Sequence, residues 1–258
     1  MREERRPRSE PEAEADGVIE GRNAVIEALR AGTTIDKIYI ARGETDAALG
    51  HIASTARSQG VVVVEADRRK LDGMSRTHAH QGVIAMAAVR EYASVDDILN
   101  AAREKGEPPL VVVCDELSDP HNLGAVIRTA ECAGAHGVII PKRRSAGLTA
   151  IVAKTSAGAV AHLPVARVPN ITGLLKELKD EGLWIFGSAA DGTTPLYQTD
   201  LKGAAAIVIG SEGGGMGRLV AEQCDFTVSI PMRGKLNSLN ASAAAAILLY
   251  EAVRQRMG

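Results

Sequence analysis

Apolar and polar positions along this chain alternate in two rhythms, and each rhythm predicts an element. In "GRNAVIEALRAG" the apolar residues recur at helical spacing and a glycine closes the run, so a helix is expected. "IDKIYIA" reads as a strand, residues 45–59 as a helix, and "VVVVEA" as a buried strand. A short polar helix around "DRRKLDGMS" and the strand "GVIAMAAV" follow. Residues 17–92 therefore form one α/β unit. "SVDDILNAAREKGEPP" has the look of a linker helix, ended by a glycine and a proline pair, and occupies residues 93–108.

From Leu110 the alternation restarts. "LVVVCDEL" is a strand, "LGAVIRTAECAG" a helix and "GVIIP" a strand. A basic turn leads to a helix around "LTAIVAKTSAG", the segment "LPVARV", the helix "ITGLLKELKDEG" and the strand "LWIFGSAA". The strand "AAAIVIGSE", a short helix after "GGGMG", the strand "FTVSIPM" and a helix from Ser238 to about Arg256 complete the series. Strands alternating with helices imply a parallel sheet covered on both faces, with ligands beyond the carboxyl ends of the strands. Residues 109–258 are thus a second α/β domain. Residues 1–16 are Arg, Glu and Pro with almost nothing to bury, which predicts a disordered tail.

Composition narrows the function classes. Hydrophobic residues at 45% support a core, and 26 glycines point to tight loops where backbone approaches something closely. Aromatics at 3% argue against a stacking platform for single-stranded nucleic acid. A net charge of −2 leaves RNA contact to local basic patches. Cys114, Cys132 and Cys224 are unclustered, which suits a reducing cytosol and argues against disulfides or a zinc site. His78, His80 and His121 lack metal-ligand spacing, so no metal is expected. With no membrane-length apolar run and no apolar core to its N-terminal segment, the chain reads as cytoplasmic.

Three polar loops follow strands and precede helices: "DELSDPHNLGAVIRTA", "IGSEGGGMG" and "IPMRGKLNSLNAS". The glycine loop fails the spacing of both dinucleotide and P-loop cradles, leaving flexible backbone around Glu212, or simply a mobile turn. Asn122 stands near a helix start and is read either as a cap or as a functional amide. Arg128, in an apolar stretch, is either snorkelling or held for a purpose; its planar fork suits phosphate. Ser238 and Asn240 precede an alanine-rich helix, where they either cap it or face a polar ligand.

Taken in this order, "DPHNLGAVIRTAECAGAHGVIIP", "VIGSEGGGM" and "IPMRGKLNSLNASAAAAILLYEAVRQR" resemble the motifs of the SPOUT-superfamily RNA methyltransferases, and more narrowly the TrmH/RlmB family of ribose 2′-O-methyltransferases. "GVIEGRNAVIEAL" resembles that family's RNA-binding substrate domain, an L30e-like fold. The resemblance implies a catalytic domain with a C-terminal trefoil knot, S-adenosylmethionine as cofactor, and a homodimer. It implies a cofactor site at Gly187, Gly210, Ile230, Met232 and Leu239, and a polar catalytic set of Asn122, Arg128, Glu212, Ser238 and Asn240. Arg22, Asn23, Arg143 and Arg144 are the expected RNA contacts. "NAS" stands where the family often has Asn-Val-Ser, and "GGGMG" is unusually glycine-rich; neither change removes a polar position.

The activity so implied is methylation of a guanosine ribose 2′-oxygen in 23S rRNA. The same chemistry on tRNA is the nearest alternative, and a non-catalytic RNA-binding or ribosome-assembly factor the alternative of another class. Arg128 is expected to clamp a phosphate and stabilise developing negative charge, with base action second because a free guanidinium stays protonated.

Overall fold

The computed structural model describes residues 17–43 and 46–258, which fall into two units meeting at Val89 and Arg90. The tail expected at residues 1–16 lies outside the described residues.

The first unit is a four-stranded sheet with helices on both faces. Its strands are β1 (Val18–Glu20), β2 (Ile35–Ala41), β3 (Val62–Ala66) and β4 (Val83–Ala87), in the order β1-β4-β2-β3. β4 runs antiparallel to β1 and β2, and β3 parallel to β2. Helices α1 (Arg22–Arg30) and α2 (Ala47–Ser58) bury Val25, Leu29 and Ile52 against Ile38, Val83 and Ala85. A third helix, α3 (Arg68–Met74), packs Leu71 against Ala41, Ala66 and Ile84. The "VVVVEA" strand is half-buried rather than buried, because β3 lies at the sheet edge. β1 is a strand that the hydrophobic pattern does not reveal; three residues are too few to show a period.

The helix read as a linker is integral to the second unit. α4 (Val95–Lys105) buries Ile98, Leu99 and Ala102, and its first two share a core with Val111, Ile139 and Leu175. Its N-terminus is closed by a capping box: Ser94 Oγ accepts from Asp97 N (3.1 Å) and Asp97 accepts from Ser94 N (2.8 Å). Gly106, in the left-handed region at φ 67°, ends it.

Seven parallel strands form the second sheet: β5 (Leu110–Cys114), β6 (Gly137–Pro141), β7 (Val165–Val168), β8 (Trp184–Ser188), β9 (Thr194–Pro195), β10 (Ala205–Ile209) and β11 (Phe226–Ser229). Their order is β7-β6-β5-β10-β8-β11-β9, as the expected two-faced parallel sheet requires. β5, β6 and β10 are buried along their whole length, which is why they read as unbroken apolar runs. On one face α4 and α7 (Ile171–Asp180) share a core with α8 (Arg218–Ala221). α5 (Pro120–Cys132) packs on β6, α6 (Ala150–Thr155) on α5, and α9 (Ala241–Arg256) on α5 and β10.

Two features set up the site. First, β11 is inserted between β8 and β9, so the chain leaving β8 crosses over β11's end to reach β9. The crossing is tight: a Cβ at Gly192 would lie 2.7 Å from the Val228 carbonyl carbon. Second, the far end of α9 is anchored. Arg256 donates from Nη1 to Pro108 O (2.9 Å) and from Nη2 to Pro109 O (3.1 Å), while Gln255 bridges Leu201 N and Thr199 O (2.8 Å each). α9 begins at Ala241, three residues later than its alanine-rich pattern predicts, because Asn240 and not Ser238 is its cap.

Candidate active site

The loops after β5, β10 and β11 meet at the carboxyl edge of the second sheet, and Asn122 ties them together. Asp119, not Asn122, caps α5, accepting from His121 N at 3.0 Å, with Pro120 in the first turn. The Asn122 amide is therefore left for tertiary contacts, and it is buried. Its Nδ2 donates to Asp119 Oδ2 (3.0 Å) and to the Glu212 carboxylate, and its Oδ1 accepts from Asn240 Nδ2 (2.9 Å). Asn240 at the same time caps α9, its Oδ1 accepting from Ser242 N (2.9 Å) and Ala243 N (3.3 Å). Asn240 therefore both caps α9 and bonds the Asn122 amide.

The glycine loop is a closed turn rather than a loose one. Ser211 and Gly215 exchange two backbone hydrogen bonds of 2.9 Å each, and Gly213 and Gly215 take φ of 82° and 65°. Gly210 must lack a side chain, since a Cβ there would meet the Gly215 carbonyl carbon at 2.2 Å. Asp115 holds the loop's far side, its Oδ2 accepting from Gly217 N at 2.8 Å. Burial pushes the Asp115 carboxyl up, opposed by that hydrogen bond.

Beside this turn opens a cavity of about 690 Å³. Gly210, Ile230, Met232 and Leu239 of the expected cofactor set line it, as do Glu212 and Ser238. Gly187 does not. A Cβ on it would lie 2.6 Å from Met216 Cε and 2.7 Å from Cys224 Sγ, so it acts one layer back, seating the Met216 that lines the cavity. Two carboxylates, Asp191 and Glu212, and no Lys, Arg or His are among the lining residues. Its electrostatics favour a cationic guest over a phosphate-bearing one.

Arg128 is not brought to the others. Six residues beyond Asn122 on α5, it sits about 9 Å along the axis and roughly 120° around it. It is exposed and makes no hydrogen bond or ion pair among the described residues. Arg143 and Arg144 follow β6 at the same sheet edge; Arg144, at φ 56°, donates to Glu116 Oε1 at 2.7 Å, while Arg143 is exposed. In the first unit Asn23 is exposed, but Arg22 is engaged internally. Its Nη1 pairs with Asp46 Oδ2 (2.7 Å) and its Nε donates to Gln81 O (3.1 Å), so two of its three nitrogens are already engaged. Among the described residues no group of three or more His, Cys, Asp and Glu could hold a metal ion, and no helix is long and apolar enough to cross a membrane.

Several contributors were not read from the sequence. Asp119-Pro120 carries a legible signal, a cap followed by proline at the first helical position. Asp115 and the turn from Ser188 to Thr193 carry none: Asp115 acts through its contact with Gly217 in the distant glycine loop, and the turn through the passage of the β8–β9 connection over β11.

Comparison with known proteins places the chain in a family. Residues 109–250 match the SpoU rRNA methylase family, and residues 18–93 match the RNA 2′-O ribose methyltransferase substrate-binding family. YacO of Bacillus subtilis (strain 168), named for the TrmH family of tRNA/rRNA methyltransferases, is 48% identical over 236 residues, 92% of this chain and 94% of its own. The SpoU methyltransferase AviRb from Streptomyces viridochromogenes, solved with AdoMet, is similar with a TM-score of 0.60 and 26% identity, covering 94% of this chain and 91% of AviRb. An AdoMet-bound rRNA methyltransferase from Sinorhizobium meliloti gives a TM-score of 0.58 at 25% identity, over 93% and 87% of the two chains. With a family match running from before β5 into α9, and the amide-centred cluster inside it, this chain belongs to the SpoU/TrmH family of RNA methyltransferases.

Proposed function

We propose that this protein methylates the ribose 2′-oxygen of a guanosine in 23S rRNA, as a homodimer in the cytoplasm. The observation that carries the reading is the hydrogen-bonded chain Asn240–Asn122–Glu212 opening on a cavity whose ionisable lining is wholly anionic. S-adenosylmethionine is the cofactor, supplying an electrophilic methyl on a sulfonium. The cavity suits it: the volume accommodates a nucleoside-sized ligand, and a pyrophosphate would face two carboxylates without a cation. The crossing of β8–β9 over β11 is compatible with the C-terminal trefoil knot of the family, and we include the knot in the proposal.

A ribose hydroxyl is a weak nucleophile, so the chain must stabilise the forming alkoxide or take its proton. Arg128 is assigned that task, clamping the neighbouring phosphate and stabilising negative charge on the 2′-oxygen. Because its guanidinium has no hydrogen-bond or ion-pair partner among the described residues and does not line the cavity of its own chain, it serves the cavity of a second copy. Asn122 holds Glu212 and Asn240 in one geometry, and Glu212 with Ser238 positions the nucleotide at the cavity mouth. Orientation of this kind is worth about 7–11 kcal/mol in well-ordered systems. Arg143 and Arg144, on the sheet edge that carries the site, and Asn23 contact RNA backbone; Arg22 supports the first unit's surface through Asp46 and Gln81.

The substrate-binding match at residues 18–93, and the likeness of nearly the whole chain to an rRNA methyltransferase, favour rRNA over tRNA. Incubation with labelled S-adenosylmethionine and separated rRNA and tRNA pools tests this: label in 23S rRNA supports it, and label confined to tRNA replaces it with the tRNA reading. Calorimetry without cofactor heat would leave a non-catalytic RNA-binding or assembly factor.

A further inference from the structure

The two carboxylates of the cavity are in different situations. Glu212 is committed, accepting from the Asn122 amide. Asp191, on the turn between β8 and β9, makes no hydrogen bond or ion pair among the described residues, yet it lines the cavity. It is not on a loose segment. Ala189 N donates to Val228 O (3.0 Å), Gly192 N to Ala189 O (3.2 Å) and Thr193 N to Thr227 Oγ1 (3.2 Å), pinning the backbone on both sides of it. Gly192 lies so close to the β11 backbone that the turn has no room to shift inward. Asp191 thus presents an exposed carboxylate from a pinned stretch of backbone on the cavity wall, with no lining Lys, Arg or His to neutralise it.

We propose that Asp191 is a specificity-determining residue that senses the sulfonium charge, so that the protein distinguishes S-adenosylmethionine from the uncharged thioether S-adenosylhomocysteine. The inference rests on the cofactor reading above. Its physical basis is that methyl transfer removes one positive charge from the ligand and leaves its size nearly unchanged. A pocket that discriminates by shape alone therefore gains little, whereas one unpartnered carboxylate on the wall attracts one ligand and not the other. The neutral lining, apolar (Ala189, Ile209, Met216, Ile230) and polar (Ser188, Thr193, Asn237, Ser238), carries no charge with which to sense that difference, and the Glu212 carboxylate is engaged by the Asn122 amide. Loss of the attraction after transfer favours exit of the product.

The test is calorimetric titration of the full chain and of Asp191→Asn with each ligand, S-adenosylmethionine and S-adenosylhomocysteine. Asp191→Asn should weaken the methyl donor about tenfold, equivalent to about 1.4 kcal/mol, and change the thioether less than about twofold. Raised salt should erode the donor's advantage in the native chain more than in the variant. If both ligands weaken equally, Asp191 holds a group common to them, such as the amino-acid ammonium, and the proposal is overturned. If neither changes, Asp191 is a bystander, and the proposal fails while the cofactor reading stands. If the unaltered chain binds neither ligand, the cofactor reading itself falls and takes the proposal with it.

Discussion

Replacing Asn122 with alanine removes the centre of the polar cluster, and its consequences separate cleanly. The side chain makes one amide–amide bond, to Asn240 at 2.9 Å, and donates to two carboxylates, Asp119 and Glu212. A neutral hydrogen bond contributes about 1 kcal/mol and one to a charged group about 1.5–3. Glu212 and Asn240 are exposed and regain water on truncation, so the sum shrinks to about 3 kcal/mol. For a domain of this size that lowers the melting temperature by about 6–12 °C. Asn240→Ala forfeits the same amide–amide bond plus a helix cap, about 2 kcal/mol together. The shared bond must appear as a coupling of about 1 kcal/mol in a double-mutant cycle read by urea denaturation. Asn122 does not line the cavity, so cofactor affinity should stay within about threefold, while RNA methylation falls about a hundredfold. Energies that add to within about 0.3 kcal/mol, or a fall in methylation wholly accounted for by lost cofactor affinity, would refute the hub role.

Other perturbations reach different parts of the account. Arg128→Ala should lower transfer by about 10²–10³-fold with cofactor affinity within about twofold by calorimetry, since Arg128 makes no hydrogen bond or ion pair among the described residues and does not line the cavity. Asp115→Asn tests the glycine-loop support. Burial raises the Asp115 carboxyl, so the native chain loses stability as pH rises through that range, and the substitution should be more favourable at about pH 7 than at about pH 4 in thermal melts. Glu251, on α9, has the opposite sign. Arg254 donates to both its oxygens at 2.8 Å and Gln255 adds a third bond, holding its carboxyl down at about 2. That stabilisation is complete above the ordinary carboxylate range and lost as pH falls toward about 2, so Glu251→Gln should cost about 4–8 °C near neutrality and nothing below pH about 2.

How much of this was legible depends on where the information resides. β2 appears over the residues its alternation marks, and β5, β6 and β10 announce themselves as apolar runs because both of their faces are covered. β1 and β9, of three and two residues, leave no period; they exist because β4 and β11 offer them partners. α4 reads as a linker because its polar face and terminal Gly106 resemble one, and only the sheet explains its buried Ile98 and Leu99. At the site, residue types alone leave cap and functional readings side by side, and it is the resemblance of the three loops to the family's motifs that marks Asn122, Glu212, Ser238 and Asn240. The joining of Glu212 and Asn240 through the Asn122 amide is tertiary. So are the displacement of Gly187 to a supporting layer, the internal engagement of Arg22, and the isolation of Arg128, whose position on α5 is fixed by a six-residue step around the helix.

The measurement closest to the central claim is nucleoside analysis of 23S rRNA after incubation with this protein and labelled S-adenosylmethionine. The account predicts label in a single guanosine carrying its methyl on the 2′-oxygen, resistant to alkaline cleavage at that linkage and absent with Arg128→Ala. Label on a base, or undiminished label with the Arg128 variant, would contradict it.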